Sequence, residues 1–276
     1  MIKNHYQKEL TWNSVISENS NQQQLVTRIQ EWINLWYYHS INTGTIIEID
    51  GDFGPITRRA VRKFQRKMNL PITGSVDTDT FSLLSNPIRK AFLLDSYNSS
   101  TINNLVIEVA TKHFQEKSRE LNYSNQSNLG PWVRSYCNGL EGNDYPWCLG
   151  FVQAILDISY SKLNGIFTDN YFNTLSCDTF GQNAISNDLL IRHEEIIQNP
   201  SLIRRGDLIL LRENNETNKW KHTGIITQVI VNDNAIRTIE GNSNSYGSRN
   251  GYEVVQRERN FRNPSTGAID VVKLIF

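Results

Sequence analysis

Residues 50–84 read DGDFGPITRRAVRKFQRKMNLPITGSVDTDTFSLL, and this stretch decides the architecture of the first part of the chain. Two glycines and a proline interrupt the chain between Asp50 and Pro55. The spacing then predicts a helix from Thr57, with Thr57 as its N-cap and Pro55 fixing the approach. Ala60, Val61, Phe64 and Met68 line one face of that helix. Arg58, Arg59, Arg62, Lys63, Arg66 and Lys67 crowd the other, a pattern that by itself describes a solvated face. Pro71-Ile72-Thr73-Gly74 reads as a turn, and a short helix follows from Thr78 to Leu84. Upstream, Leu25, Ile29, Trp32, Ile33 and Trp36 recur at helical spacing between Gln22 and Tyr38. The first part is therefore expected to be a small three-helix unit.

Downstream, residues 86–104 carry Pro87, Tyr97-Asn98-Ser99-Ser100 and Asn103-Asn104, the composition of a connection with a short helical piece near Arg89–Leu94. A helix is predicted from Leu105 to Leu121, then a long polar, Gly-rich loop over residues 122–145. That loop leads into Tyr145-Pro146-Trp147-Cys148-Leu149-Gly150-Phe151-Val152, where Cys148 opens an apolar helix. A cysteine in a helix's first turn feels the positive end of the helix dipole, which lowers its pKa, and the thiolate is the nucleophilic form. The free amides of that turn also suit an oxyanion.

The last third reads as strands over residues 207–211, 223–231, 235–240, 252–257 and 269–275. Helices followed by a run of antiparallel strands indicate an α+β domain. His222 opens one strand, and Glu240 and Asn242 end the next. If those strands pair as a hairpin, Glu240 meets the imidazole, whose other nitrogen faces Cys148. A thiol nucleophile, its base and the base's orienter then occur in that chain order.

Composition sets limits on other functions. The chain has 276 residues, enough for two domains, and 28 basic against 28 acidic side chains. A net charge of zero gives no overall field that would gather nucleic acid or an anionic membrane. No apolar stretch reaches the length of a membrane span. The N-terminal run Met1–Lys8 lacks the apolar core of a secretory signal, so the expectation is cytoplasmic synthesis, with delivery by another route if the protein acts outside the cytoplasm. Three cysteines, Cys137, Cys148 and Cys177, are too few for a disulfide scaffold and have no zinc-site spacing; Cys137 and Cys177 either pair or remain buried thiols. No metal or cofactor is expected.

Two resemblances follow from these residues. Asp50, Gly51, Phe53, Gly54, Pro55, Thr57, Ala60, Val61, Phe64, Gln65, Leu70, Gly74, Asp77 and Thr80 resemble the peptidoglycan-binding domain type 1. The resemblance implies a three-helix module that holds its protein on the cell wall, with Asp50 and Phe53 as candidate ligand contacts. The segments YPWCLGFVQ, RRGDLILL, KHTGIIT and TIEGNSNSYGSRNGYEVVQRER resemble the CHAP amidase/peptidase domains, papain-like relatives of NlpC/P60. That resemblance implies Cys148 as nucleophile, His222 as base, Glu240 as orienter and Asn242 as a supporting polar group, with Trp147 beside the cleft. It implies cleavage of a peptidoglycan amide bond, as an N-acetylmuramoyl-L-alanine amidase or a stem or cross-bridge endopeptidase. The segment of about residues 161–200, which contains Cys177, departs from the pattern.

The expected organisation is a three-helix peptidoglycan-binding module over residues 1–90, a linker over 91–104 and a CHAP-like hydrolase over 105–276. Two roles fit: an endolysin, or an injected antibacterial effector with an immunity protein and a secretion machine as partners. The opposing reading is a non-catalytic wall-binding or structural protein that keeps the fold. A lone buried cysteine or histidine is usually core, and only the order and context of Cys148, His222 and Glu240 outweigh that. Peptidoglycan is the expected partner, with no nucleic acid and no membrane.

Overall fold

The computed structural model describes residues 1–41, 47–214, 216–244, 251–263 and 267–276. Its helices are α1 (Tyr6–Leu10), α2 (Gln23–Ile41), α3 (Pro55–Lys67), α4 (Thr78–Leu84), α5 (Asn86–Phe92), α6 (Ile102–Gln115), α7 (Pro131–Tyr136), α8 (Cys148–Lys162), α9 (Cys177–Ser186) and α10 (His193–Gln198). Its strands are β1 (Leu121–Tyr123), β2 (Gln126–Leu129), β3 (Leu190–Ile191), β4 (Leu208–Arg212), β5 (Trp220–Ile230), β6 (Ala235–Ser243), β7 (Glu253–Asn260) and β8 (Ile269–Val272). The fold is α+β, as the order of periodicities predicts.

In the N-terminal unit, α2 packs on α3 and α4. Two buried glutamines hold its two glycine turns. Gln30 accepts from the amide of Gly51 at 2.8 Å and donates to Asp50 Oδ1 at 2.7 Å. Gln65 accepts from the amide of Gly74 at 2.9 Å and donates to the Ser75 carbonyl at 2.8 Å. Gly51 has φ +76°, and a Cβ there would lie 2.3 Å from Gln23 Cγ, so a side chain is excluded twice over. The second helix starts two residues earlier than its sequence predicts. Gly54, not Thr57, is the N-cap of α3, and no side chain caps it. Thr57 lies inside the first turn, buried, with its hydroxyl on the Asp52 carbonyl at 3.3 Å. Pro55 can begin the helix because the first-turn amide it lacks has no intrahelical acceptor. Asp77 caps α4 as a short acidic residue should, accepting from the Thr80 amide at 2.8 Å.

The region read as a long loop contains structure. Residues 121–129 form the β1–β2 hairpin and Pro131 opens α7, while α6 spans Ile102–Gln115 and stops short of Leu121. Short polar strands carry almost no alternation to read, so only tertiary pairing reveals them.

The large sheet has the order β3-β8-β4-β5-β6-β7, and its recorded pairings are antiparallel. Strand β4 is buried along its whole length: Leu208 and Leu210 join the core beneath α6 and α8, and Ile209 and Leu211 join a second core on the opposite side. That is the period-two alternation of a strand buried on both faces. Helix α8 packs on β5 and β6, and α9 packs on β5.

The two parts of the chain share an interface. Arg134 of α7 donates to Glu9 at 2.7 Å, to Glu31 of α2 at 2.7 Å and to Glu141 at 2.9 Å. The amides of Ile2 and Lys3 donate to Asp157 of α8 at 3.0 and 2.7 Å. The ring of Tyr6 stacks on Phe92 with centroids 4.7 Å apart.

Candidate active site

Cys148 is the first residue of α8 and is 4 % exposed. Trp147 takes the N-cap position without a side-chain cap, which leaves first-turn amides free for other acceptors. The amide of Leu149 is one of them and favours the charged form of Cys148.

The β5–β6 hairpin forms as expected. Ile225 lies opposite Ile239, and continuing that register sets Gly224 opposite Glu240 and His222 opposite Asn242. Gly224 has no side chain, and a Cβ there would come within 2.5 Å of Glu240 Cγ. The Glu240 side chain therefore has room to reach His222. Its Oε2 accepts from His222 Nε2 at 2.9 Å. The other ring nitrogen, Nδ1, finds no conventional hydrogen bond. Since Nε2 is taken by Glu240, Nδ1 is the nitrogen left for the Cys148 thiol, with which the ring interacts.

Sequence reading missed the residue that holds Glu240. Arg259 of β7 donates Nε to Oε1 and Nη2 to Oε2, both at 2.6 Å, and the Thr238 hydroxyl donates to Oε1 at 2.5 Å. The carboxylate thus accepts four hydrogen bonds, including a bidentate arginine fork. An arginine on an alternating strand carries no local mark that distinguishes it from the exposed arginines nearby.

These contacts set the charges. Cys148 is held well below its ordinary value, first by hydrogen bonding with Cys177 and then, against burial, by His222 and the Leu149 amide. Burial alone would lower His222, but Cys148 and Glu240 outweigh it and raise it to about 9. Burial alone would raise Glu240, but Arg259 and His222 push it far below the usual carboxylate range. The arrangement favours a thiolate–imidazolium pair backed by a carboxylate.

The other residues singled out from the sequence behave differently. Asn242 is 1 % exposed and left-handed at φ 53°, and neither of its amide atoms has a hydrogen-bond partner among the described residues. It is next to the site without bonding His222. Trp147 is fully buried, stacks on Tyr136 at 5.5 Å and donates Nε1 to Glu120 at 2.7 Å; its ring packs in the core instead of lining a cleft. Phe53 is fully buried in the N-terminal core and presents no surface to a ligand. Asp50 is exposed and braces its loop through Gln30 and the Asp52 amide. All three cysteines are free, and the neighbour of Cys177 is Cys148, so the Cys137–Cys177 pairing is not formed. The unassigned segment supplies α9, whose first residue, Cys177, interacts with Cys148.

A cavity of about 470 Å³ flanks the site, with Pro146, Trp220, Lys221, Glu120, Asn128 and Tyr252 among its lining residues. Pro146 and Lys221 are near neighbours in sequence of Cys148 and His222. Trp220, at the head of β5, is pinned by its amide on Asp178 at 2.6 Å and its indole on Asp270 at 2.8 Å.

Residues 22–84 match the peptidoglycan binding domain family. The match covers α2, α3, α4 and the two glycine turns, and it supports association of the protein with the cell wall. No curated protein and no solved structure matches the chain. Among the described residues, no helix is long and apolar enough to cross a membrane.

Proposed function

We propose that the protein is a cysteine hydrolase that cuts an amide bond of peptidoglycan. The observation that carries the reading is the buried relay Cys148–His222–Glu240, with the imidazole hydrogen-bonded to Glu240 at 2.9 Å and its free nitrogen left for the thiol. The peptidoglycan binding domain at residues 22–84 supports the choice of substrate.

In this reading the Cys148 thiolate attacks the scissile carbonyl carbon. The first-turn amides of α8 stabilise the oxyanion that forms. The His222 imidazolium gives its proton to the leaving amine, and the acyl-enzyme remains on sulfur. The neutral imidazole then takes a proton from water, and hydroxide releases the acyl group. Glu240 keeps the ring oriented and its cation stable throughout, and does not itself take the proton.

The test is release of soluble fragments from purified peptidoglycan, read by mass spectrometry. Parent protein is expected to release them. Cys148→Ala is expected to keep the fold, by circular dichroism, and to lose the activity. A folded Cys148→Ala protein with full activity overturns the mechanism. The fragments also identify the bond cut, glycan-to-peptide or within the peptide.

A further inference from the structure

Cys177 has no part in the hydrolytic scheme, yet the fold delivers it to the reacting sulfur. It is the first residue of α9, in a segment that joins the α8 end of the domain to the sheet. Ser176 caps that helix, its hydroxyl accepting from the Thr179 amide at 3.2 Å. The next residue, Asp178, grips the amide of Trp220, two residues before His222. Gly181, one turn on, lets α9 lie against the Trp220 ring, where a Cβ would come within 2.4 Å. These contacts fix the start of α9 against the strand that carries His222. Both thiols are buried, α9 packs on the strand that carries His222, and each thiol acts on the other's charge state. Cys137, by contrast, lies against Gly150 of α8, and burial raises its thiol to about 12.

We propose that Cys148 and Cys177 form an oxidisable dithiol, with Cys177 as the resolving thiol, which a hydroperoxide converts to an intramolecular disulfide. The first step is attack of the Cys148 thiolate on the outer peroxide oxygen. An S–O bond forms, the O–O bond breaks, and with one proton the products are a sulfenic acid and an alcohol, or water when the oxidant is hydrogen peroxide. In the second step the Cys177 sulfur attacks the sulfenyl sulfur. The S–S bond forms, the S–O bond breaks, and hydroxide leaves as water with the Cys177 proton. Two thiols are oxidised and one peroxide is reduced. The product caps the nucleophile reversibly and spares it from the sulfinic acid, which thiols do not reduce.

This goes beyond the hydrolytic reading and needs only the thiolate, so its test does not depend on hydrolysis. The full-length protein is treated with hydrogen peroxide, denatured, alkylated with iodoacetamide and weighed, then mapped by proteolysis. The parent has three cysteines and is expected to keep one alkylatable thiol after oxidation, on Cys137, and to regain all three with dithiothreitol. The map should contain a Cys148–Cys177 cross-linked peptide. Cys137→Ser should still form it. Cys177→Ser should form no disulfide and should accumulate oxygen on Cys148 that dithiothreitol does not remove. An oxidised parent in which Cys177 remains alkylatable, or in which Cys148 pairs with Cys137, overturns the proposal. So does a Cys177→Ser protein whose Cys148 is no more over-oxidised than the parent's.

Discussion

At the scale of single residues, the site depends on how charge is shared between His222, Glu240 and Cys148. With His222 raised to about 9, its imidazolium persists through neutral pH and is lost as pH rises through that value. A folded pKa above the unfolded 6.5 also means that its contribution to stability is complete below about 6.5 and lost as pH rises through about 9. Hydrolysis, which needs the imidazolium as acid, is expected to fall on that alkaline limb. Alkylation of Cys148, which needs only the thiolate, is expected to stay high. Glu240→Gln removes the charge that supports the cation. The limb should move to lower pH and the rate fall by roughly 10²- to 10⁴-fold, the range of a positioned acid–base group. The same change removes the negative charge from the buried bidentate pair with Arg259. A loss of about 3–5 kcal/mol in urea unfolding is therefore expected beside the kinetic effect. An unshifted limb in a folded Glu240→Gln protein would remove Glu240 from the relay.

At the scale of elements, the β5–β6 hairpin is the part that builds the relay, and its smallest residue controls it. Gly224→Ala would bring a methyl within 2.5 Å of Glu240 Cγ and 3.1 Å of the Ile239 carbonyl. The side chain of Glu240 must move, and with it the bond to His222 Nε2. The variant is expected to fold with a loss of about 1–3 kcal/mol, the cost of overpacking a filled site. It should lose most of its hydrolytic activity and show a lower His222 pKa by NMR titration. Retention of the parent pH profile would mean that Glu240 can reach the imidazole by another path.

At the scale of the whole molecule, the N-terminal unit is joined to the rest by buried charge. Glu9 and Glu31 are on one side, Arg134 and Glu141 on the other, and the Tyr123 hydroxyl donates to Glu31 at 2.8 Å. Burial would raise Glu9, but His5 and Arg134 bring it down to about 2. Arg134→Met would take from Glu9 and Glu31 the cation they share, and a loss of about 3–5 kcal/mol is expected in thermal or urea unfolding. A chain beginning near Asn103 would lose Glu9, Glu31 and the amides that satisfy Asp157 at one stroke. The sequence alone suggests that such a chain folds independently. With this interface in place, it is expected to be unfolded or aggregated by circular dichroism and gel filtration. A soluble, folded fragment would show that the interface contributes little to stability.

The sequence by itself determined what is local. Helical spacing marked α2 and α3, a turn at residues 71–74 preceded the short helix α4, and strand-forming runs marked β4 to β8, because each depends on neighbours a few residues apart. It also singled out Cys148, His222 and Glu240, since their chain order and local context are visible in one dimension, although β5 begins at Trp220 and β6 runs on to Ser243, which puts His222 and Glu240 inside their strands. Only the tertiary structure decided what depends on cross-strand and inter-unit contacts. Arg259 reaches Glu240 from another strand, 19 residues away. Phe53 and Trp147 turned inward because large aromatic rings gain more from burial than from exposure beside a cleft. Cys177 met Cys148 because Gly181 and Asp178 dock α9 on the head of β5. No periodicity encodes such meetings: their partners are far apart along the chain, and packing alone brings them together.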